Sequence, residues 1–295
     1  MNRIIFHIDV NSAFLSWEAA KRVKNGESDI RKIASCIGGD PTTRRGVVLA
    51  KSNEAKKYGV KTGEPLSFSL RKCPQLQIFK PDFKLYTRSS RAFVEILEKY
   101  APVVEKYSID ECFLDMSGTE RIYPDPIALA HKIKDEIRDT LGFTVNIGIA
   151  ENKLCAKKAS DFEKPDRVHT LFSSEIKEKM HPLPIGELFS VGSSTAEKLI
   201  KHGIYTIGDL ASCSVEAVVG ILGRKHGEHL HRYANGIDES EVSDVPDDAK
   251  GYSVSTTLEY DIDSYEEADS ILLALSDSVA SRMRNDGVSA YCIAV

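Results

Sequence analysis

The residues IIFHID at positions 4–9 form a short apolar stretch that ends in a carboxylate. Its length and its three isoleucines are typical of a buried β-strand. Asn11 and Ser12 follow it as residues of the helix N-cap type, and the apolar spacing over 14–24 predicts a helix. The start of the chain is therefore predicted as a strand with Asp9 at its end, followed directly by a helix.

Hydrophobic periodicity and Gly/Pro punctuation predict further elements up to residue 162. Helices are predicted at 83–100, 126–141 and 153–162, and strands at 47–50, 76–79, 103–115 (as a pair) and 144–150. Together with the first strand, the elements after residue 82 follow the order β-α-β-β-α-β. This order describes a ferredoxin-like sheet with its helices on one face. The interruption, residues 11–81, is long enough for an inserted small domain.

The pattern changes to short helices over residues 173–235. Within them, residues 185–199 predict a tight glycine turn before a capped helix, which ends at Gly203. An acidic stretch that follows is predicted as a linker, and beyond it we expect a strand at 252–260, a helix at 264–285 and a strand from 288. This last piece is small for an independent domain, so the natural protein is expected to continue. The patterns predict an α+β multidomain protein.

Length and composition bound the class of protein. The 295 residues, 42% hydrophobic and 28% charged, have ordinary globular values for about two or three domains. No stretch reaches the roughly 18 apolar residues of a membrane span, and the start lacks the layout of a secretion signal. The six cysteines are scattered, which indicates buried thiols in a reducing compartment. The sequence predicts a soluble, cytoplasmic protein with no membrane partner.

The net charge of −5 is unevenly distributed along the chain. Residues 237–269 hold twelve acidic side chains and one basic one, which leaves a charge of +6 on the rest. Eight bases between Arg44 and Lys72 are accompanied by only two acids. Such a cluster is either a solvated surface or a grip for polyphosphate, and charge alone does not decide between them.

Three acidic residues stand out because of their positions. Asp9 ends the first strand, and Asp110 and Glu111 lie inside 107–115, an otherwise apolar hairpin. Successive strand residues point to opposite faces, so these two can converge only if the chain turns there. Carboxylates on central strands are costly to desolvate, and a hard divalent cation such as Mg²⁺ would compensate them. The alternative is a strand-end acid beside a satisfied turn acid, and the residues alone leave both open.

Four motifs occur together and in the order of one enzyme family. They are IDVNSAF at 8–14, NEAKKYGVKTG at 53–63, YSIDE at 107–111 and GIAENKLCAK at 148–157. In this combination the chain resembles the Y-family DNA polymerases, the translesion enzymes, strongly over residues 1–240 and weakly beyond. Four ordered motifs are far more specific than one, so the resemblance favours the metal-site interpretation of the carboxylates.

The resemblance also implies a division into four domains. A ferredoxin-like catalytic palm carries inserted small fingers, a helical thumb contains a helix-hairpin-helix, and a partial α/β little finger completes the chain. The implied boundaries are 1–10 and 82–171 for the palm, 11–81 for the fingers, 172–236 for the thumb, 237–249 for a linker and 250–295 for the little finger, which is expected to be incomplete.

By position, the resemblance implies that Asp9, Asp110 and Glu111 are the metal-binding catalytic carboxylates. The backbone carbonyl of Val10 would complete the shell of the second metal. The implied cofactor is a pair of Mg²⁺ ions, for which Mn²⁺ can substitute. Two such ions about 4 Å apart would activate the primer hydroxyl and stabilise the leaving oxygen.

Four further residues are implied to bind the incoming nucleotide. Phe14 matches the aromatic steric gate, whose ring leaves no room for a 2′-hydroxyl, although the residues alone favour core packing. Lys164 matches a lysine that contacts the triphosphate, although a lysine at a helix terminus also pairs with the dipole. The family has tyrosine and arginine where this chain has Asn53 and Lys56. Lysine supplies no bidentate fork, so a weaker or rearranged grip on the γ-phosphate is expected.

The turn at residues 191–196 is similar to the helix-hairpin-helix of the family's thumb. In such a turn, backbone N–H groups bind DNA phosphates without reading sequence. The resemblance implies DNA contacts at Gly192, Ser194 and Thr195. Because Ser194 stands where the familiar form has a second glycine, an ordinary helical hairpin remains the alternative.

The function that the resemblance implies is the template-directed addition of deoxynucleotides to a primer on damaged DNA, with low fidelity. Its partners would be primer-template DNA, dNTP and a sliding clamp bound through a C-terminal segment, and the protein would be a monomer. One alternative is a non-catalytic DNA-binding repair protein on the same scaffold. Another is a nucleotide cyclase or a phosphatase that uses the same metal chemistry.

Overall fold

A computed structural model describes residues 3–40, 46–245 and 248–295. The strands are β1 (Ile5–Val10), β2 (Ser35–Gly38), β3 (Val48–Lys51), β4 (Gln77–Phe79), β5 (Val103–Lys106), β6 (Glu111–Asp115), β7 (Val145–Ala150) and β8 (Val168–Thr170). The helices are α1 (Ala13–Lys24), α2 (Asn53–Lys57), α3 (Leu66–Lys72), α4 (Phe83–Leu97), α5 (Pro126–Leu141), α6 (Lys153–Ser160), α7 (Ser193–Lys201), α8 (Ile207–Ser212), α9 (Val215–Leu222), α10 (Arg224–Ala234) and α11 (Tyr265–Asn285). Arg44 and Arg45 of the basic segment, and residues 246–247 of the predicted linker, lie outside the described ranges.

The chain divides into two compact units. The first comprises Met1–Lys32 and Asp82–Val245, and the second comprises Ile33–Pro81 and Pro246–Val295. Helix α1 belongs to the first unit. The boundaries of the palm, fingers, thumb, linker and little finger stay predictions. None of the described helices combines the length and apolar character needed to cross a membrane.

The sheet of the first unit has the strand order β5-β6-β1-β7-β8. Strand β1 pairs antiparallel with both β6 and β7, which is the ferredoxin-like arrangement, so that prediction is confirmed. The edge strand β8, parallel to β7, was not predicted, because its three residues show neither alternation nor a long apolar run. Helices α4 and α5 pack against each other, and α6 packs against β1 and β7.

The central strand β1 is buried because its residues are apolar on both faces. Ile5, Phe6 and Ile8 are fully buried. Since side chains alternate along a strand, Ile5, His7 and Asp9 share one face. Ile5 packs there in one core cluster with Ala156 of α6, so this face of β1 is the one that meets α6. The polar residues of β1 therefore lie beside α6.

A glycine in β7 allows α6 to approach the sheet closely. A Cβ atom added at Gly148 would lie 2.0 Å from the carbonyl oxygen of Ala156 and 2.4 Å from the backbone nitrogen of Ser160. Both distances are far below contact, so only glycine permits this helix to lie where it does. Asn152 caps α6 by accepting a hydrogen bond from the backbone N–H of Cys155.

Short helices α7–α10 occupy residues 193–234, as the sequence predicted, and they share one core cluster with α6. Helix α7 ends at Lys201, and Gly203 follows with φ 81°, the left-handed conformation that favours glycine. The segment that precedes the glycine turn contains a short 3₁₀ turn at Ile185–Glu187 and not a full helix. Ser12 is the N-cap residue of α1, in agreement with the predicted start of the helix, although its φ is 49° and its side chain makes no capping hydrogen bond.

The second unit contains a small sheet with the order β3-β2-β4 and the helices α2, α3 and α11. Helix α11 confirms the prediction at 264–285. The strands predicted at 252–260 and from 288 are wrong, because neither segment pairs with any described strand and most of their residues are exposed. A strand exists only through hydrogen bonds to a neighbour, which local sequence does not supply.

Candidate active site

The β1–β6 ladder brings the predicted carboxylates to one end of the sheet. Asp9 is the antiparallel partner of Glu111, and the backbone N–H of Val10 donates to the carbonyl oxygen of Asp110 at 3.0 Å. Asp110 lies in the turn between β5 and β6, and Glu111 opens β6. The turn that convergence of the two acids requires is therefore present, one residue before the ladder begins.

Asp9 is a mostly buried carboxylate with one cationic partner. Its side chain is 15% exposed, and Lys164 Nζ lies 2.5 Å from its Oδ2. Burial raises the pKa of Asp9 to about 6, against the opposing effect of Lys164, and the charges of Glu111 and Asp110 raise it further. Additional positive charge beside Asp9 would therefore stabilise its ionised form.

Glu111 has more donors around it than Asp9. Its Oε2 lies 3.1 Å from Nε2 of the fully buried His7 and contacts the ammonium group of Lys157. Burial acts to raise the pKa of Glu111, but the hydrogen bonds from His7 and Lys157 outweigh it and lower the pKa to about 2. Burial lowers the pKa of His7 more than Glu111 raises it, so the imidazole is neutral near pH 7.

Asp110 is partly exposed and is held by its own turn. Ser108 Oγ donates to Asp110 Oδ1 at 2.7 Å, and the backbone N–H of Asp110 reaches Ser108 Oγ at 3.3 Å. This local pair fixes the side chain without a cation. Asp110 is thus free of the lysine contacts that engage Asp9 and Glu111 in the part of the chain that the structure describes.

The carboxylates fit a divalent cation by the chemistry of their donors. Among residues 3–40, 46–245 and 248–295, no three Asp, Glu, His or Cys side chains are already gathered closely enough to hold a metal ion. Lysine ammonium groups instead contact Asp9 and Glu111. Mg²⁺ needs only one or two carboxylates when substrate phosphates supply the remaining oxygens. Asp9, Asp110, Glu111 and the carbonyl of Val10 are therefore a suitable set of hard oxygen ligands.

Phe14 lies on α1 against a group of aromatic rings. Its ring stacks on Tyr86 with a centroid distance of 4.5 Å and an interplanar angle of 9°. Phe83 meets it edge-on at 6.3 Å, and Trp17 lies 5.9 Å away. Tyr86 and Trp17 are fully buried, whereas Phe14 is only partly buried. The ring of Phe14 therefore rests on a rigid platform and keeps one part accessible.

The remaining predicted residues lie on two other helices. Asn53 and Lys56 are exposed and three positions apart on α2, in the second unit, so their role at the carboxylates stays a prediction. Gly192 is the N-cap residue of α7, and Ser194 and Thr195 lie in its first turn. Gly192 and Ser194 are exposed, and a Cβ at Gly192 would meet no atom within 4 Å, so the end of α7 is open.

Sequence reasoning missed His7, Lys157, Ser160 and Tyr86. His7 lies two positions before Asp9 on the same strand, and period-two alternation could have placed both on one face. Lys157 and Ser160 are three positions apart on α6, so one helix face carries both. No local signal pairs them with β1, because that contact depends on the close approach at Gly148. Tyr86 was hidden within an ordinary amphipathic helix.

Comparison with known proteins identifies the family along most of the chain. Residues 8–161 match the impB/mucB/samB family, residues 186–238 match a family described as the thumb domain of DNA polymerase-iota, and residues 249–295 match the C-terminal domain of the impB/mucB/samB family. The DNA polymerase IV of Clostridium acetobutylicum is 46% identical over 100% of this chain and 74% of its own length. DNA polymerase IV 1 of Bacillus subtilis is 37% identical over 98% and 68%.

Solved structures give the same result. A Y-family DNA polymerase chimera of Dbh and Dpo4 aligns over 94% of this chain and 80% of its own, with a TM-score of 0.81 and 25% identity. DinB from Sulfolobus solfataricus aligns over 81% and 69%, with a TM-score of 0.70 and 27% identity. The sequence matches, the ferredoxin-like sheet and the paired carboxylates all indicate one family. The chain belongs to the Y family of DNA polymerases.

Proposed function

We propose that this chain is a DNA-directed DNA polymerase that adds dNTPs to a primer across damaged template positions, with low fidelity and with Mg²⁺ as cofactor. The observation that carries the proposal is the pairing of Asp9 with Glu111 across the β1–β6 ladder, with Asp110 in the adjoining turn. Family membership supports this function, because the relatives that match the chain are named DNA polymerase IV.

Asp9, Asp110 and Glu111 would hold the divalent cations, and the carbonyl of Val10 would complete the shell of the second metal. When bound, the metal lowers the pKa of the primer 3′-hydroxyl and neutralises charge on the triphosphate. Lys164 and Lys157 neutralise Asp9 and Glu111 in the free protein. A triphosphate bound beside Asp9 would meet the ammonium group of Lys164 directly.

Three other parts of the chain position the substrates. The ring of Phe14, supported by Tyr86, would lie against the sugar and exclude a 2′-hydroxyl. Asn53 and Lys56 would contact the triphosphate from α2, through an amide and a point charge. The open N-terminus of α7 would bind DNA phosphates through backbone N–H groups, which contact the backbone without selecting a sequence. This activity would take place in the cytoplasm.

Primer extension by two carboxylate variants tests the proposal. Asp110→Ala and Glu111→Ala each remove a metal ligand, so extension with Mg²⁺ should fall by about 100-fold or more. Asp139→Ala removes an exposed carboxylate of α5 and is the matched control, which should extend like the wild type. Unchanged extension by the first two variants would contradict the catalytic assignment.

A further inference from the structure

His7 is a fully buried polar residue in the middle of an apolar strand. Its ring contacts two polar groups on opposite sides. Nδ1 lies 2.7 Å from Ser160 Oγ, and Nε2 lies 3.1 Å from Glu111 Oε2. The ring of Phe113 lies beside it, with a centroid distance of 4.6 Å. A histidine this deep in a sheet is costly to bury unless both nitrogens are satisfied, and here both are.

The contact with Ser160 depends on the fold of β7 and α6. His7 is the ladder partner of Gly148, the residue whose missing side chain lets α6 lie against the sheet. Ser160 ends α6 and is fully buried. A bulkier residue at position 148 would push Ser160 away from the imidazole. The β1–β7 ladder therefore fixes the backbone of His7, and Ser160 of α6 fixes the position of its ring nitrogen Nδ1.

The donors and acceptors around His7 determine which nitrogen faces Glu111 with a proton. Glu111 is an acceptor, so Nε2 must carry the proton that lies between them. Nδ1 lies against Ser160 Oγ, whose hydroxyl donates to the carbonyl oxygen of Lys157 at 2.8 Å. A ring protonated only at Nδ1 would turn the lone pair of Nε2 toward the carboxylate of Glu111, so these contacts exclude that tautomer.

We propose that Ser160, His7 and Glu111 form a hydrogen-bonded chain, in which Ser160 Oγ is hydrogen-bonded to Nδ1 and Nε2–H donates to Glu111 Oε2, and that this chain makes His7 a positioning residue for Glu111. The inference rests on the proposed function, in which Glu111 is a metal ligand. His7 and Lys157 both contact Oε2, and neither contact uses Oε1. The chain thus anchors one carboxylate oxygen and leaves the other for the cation. Hydrogen bonds of this kind orient metal ligands in many sites.

The tautomer is measured directly by ¹H–¹⁵N NMR of the full chain labelled at histidine, without added metal, at pH 7.5. The eight histidines give eight signals, and the one that disappears in His7→Gln belongs to His7. We expect a ring that is protonated at Nε2. In Ser160→Ala the hydroxyl is lost, so the Nδ1 shift of His7 should move, whereas Ser90→Ala, another buried serine, should leave it unchanged. A ring protonated only at Nδ1 would overturn the hydrogen-bonded chain.

The positioning role of His7 toward Glu111 is measured by primer extension with primer-template, dNTP and Mg²⁺. His7→Leu keeps an apolar core but removes the donor, and we expect kcat to fall 10- to 100-fold while the KM for DNA is unchanged. His7→Gln keeps a side-chain N–H near the place of Nε2 and should recover most of the loss. Ser160→Ala should show a smaller loss, and Ser90→Ala none. Equal extension by His7→Leu and wild type would overturn the positioning role.

The two measurements separate this inference from the function on which it rests. If the wild type extends no primer, the proposed function fails, and the NMR result still decides whether the hydrogen-bonded chain exists. If the wild type extends primer and His7→Leu does so equally, only the positioning role fails. Should His7→Leu not fold, as judged by its thermal transition, Ser160→Ala against Ser90→Ala decides the result, because both remove one buried hydroxyl.

Discussion

The two paired carboxylates, Asp9 and Glu111, are neighbours in one ladder but differ in their electrostatics. Burial raises the pKa of Asp9 to about 6, because Lys164 offsets the effect of burial only in part. Glu111 has His7 and Lys157, and its pKa is lowered to about 2 despite burial. Asp9 is the more buried of the two and lies near the like charges of Glu111 and Asp110, both of which raise its pKa. Glu111 is less buried and accepts hydrogen bonds from two partners, which lower its pKa. Asp9 is therefore kept at a cost to stability, as is common for functional residues.

That cost predicts how stability depends on pH. The pKa of Asp9 rises from 3.8 in the unfolded chain to about 6 in the folded one, so the folded state holds the proton more tightly between these values. Stability from this residue is present at low pH and is lost as pH rises through the window. Relative to wild type, Asp9→Asn should gain about 1–3 kcal/mol in free energy of unfolding between pH 4 and pH 7.

Urea denaturation of the two proteins at a series of pH values measures this difference. Lys164 keeps its charge over this pH range, so the loss of its partner in Asp9→Asn changes the difference in free energy of unfolding by a constant amount. The variation of that difference with pH is then due to Asp9. A difference that does not vary between pH 4 and pH 7, or that changes in favour of the wild type, would contradict the raised pKa.

The proposed sugar selection belongs to the same scale, because we assign it to one ring. Phe14→Ala removes the ring that Tyr86 supports and should admit ribonucleotides, raising their incorporation about 100-fold relative to deoxynucleotides. Competition between labelled rNTP and dNTP in single-nucleotide extension measures the ratio. Phe189→Ala, at a partly exposed ring near α7, is the control and should keep the wild-type ratio. Strict exclusion of ribonucleotides by Phe14→Ala would remove the gate role.

Among the secondary-structure elements, the packing of α6 on β7 decides the geometry of the site. That helix carries Lys157 and Ser160, and the segment after it carries Lys164, so its position sets the contacts of both Glu111 and Asp9. Gly148 permits the approach because no side chain intervenes. The interaction links a feature of the sheet, a missing Cβ, to the electrostatics of residues on a neighbouring strand.

Gly148→Ala should therefore destabilise the fold strongly. The added Cβ would meet backbone atoms of α6 at 2.0 and 2.4 Å, which cannot move without shifting the helix, so we expect a loss of about 3 kcal/mol or more. Gly220→Ala is the matched control, since Gly220 lies within α9 with nothing within 4 Å of its Cβ. There alanine should stabilise by about 0.5–1 kcal/mol. Equal free energies of unfolding in urea for Gly148→Ala and wild type would contradict the close packing.

Across the whole molecule, sequence reasoning recovered what local pattern encodes. The amphipathic helices α4, α5 and α11 and the apolar strand β1 carry their own periodicity, and all were predicted. Strand β8 and the contacts of His7 were missed because both depend on pairing between distant segments. Segments 252–260 and 288–295 show the reverse error, since strand propensity without a ladder partner does not make a strand.

The residues of the candidate site also divide into those that local sequence reveals and those that depend on contacts between distant segments. Asp9, Asp110 and Glu111 were found through motifs that resemble a known family, and the β1–β6 ladder brings their backbones together. What surrounds them could not be predicted, because the lysines and the histidine reach the carboxylates from other elements. Sequence motifs thus gave the identity of the acidic residues, and only the tertiary structure gave the pKa shifts of Asp9 and Glu111.

The most direct test of the whole account is whether pyrophosphate release by the wild-type protein depends on a primer-template. With Mg²⁺ and a single dNTP, we predict release, and extension by one nucleotide, only when that dNTP is complementary to the template. Binding without release would indicate a DNA-binding protein, and release without DNA would indicate a nucleotide cyclase or a related activity. Either of these results would contradict the proposed polymerase.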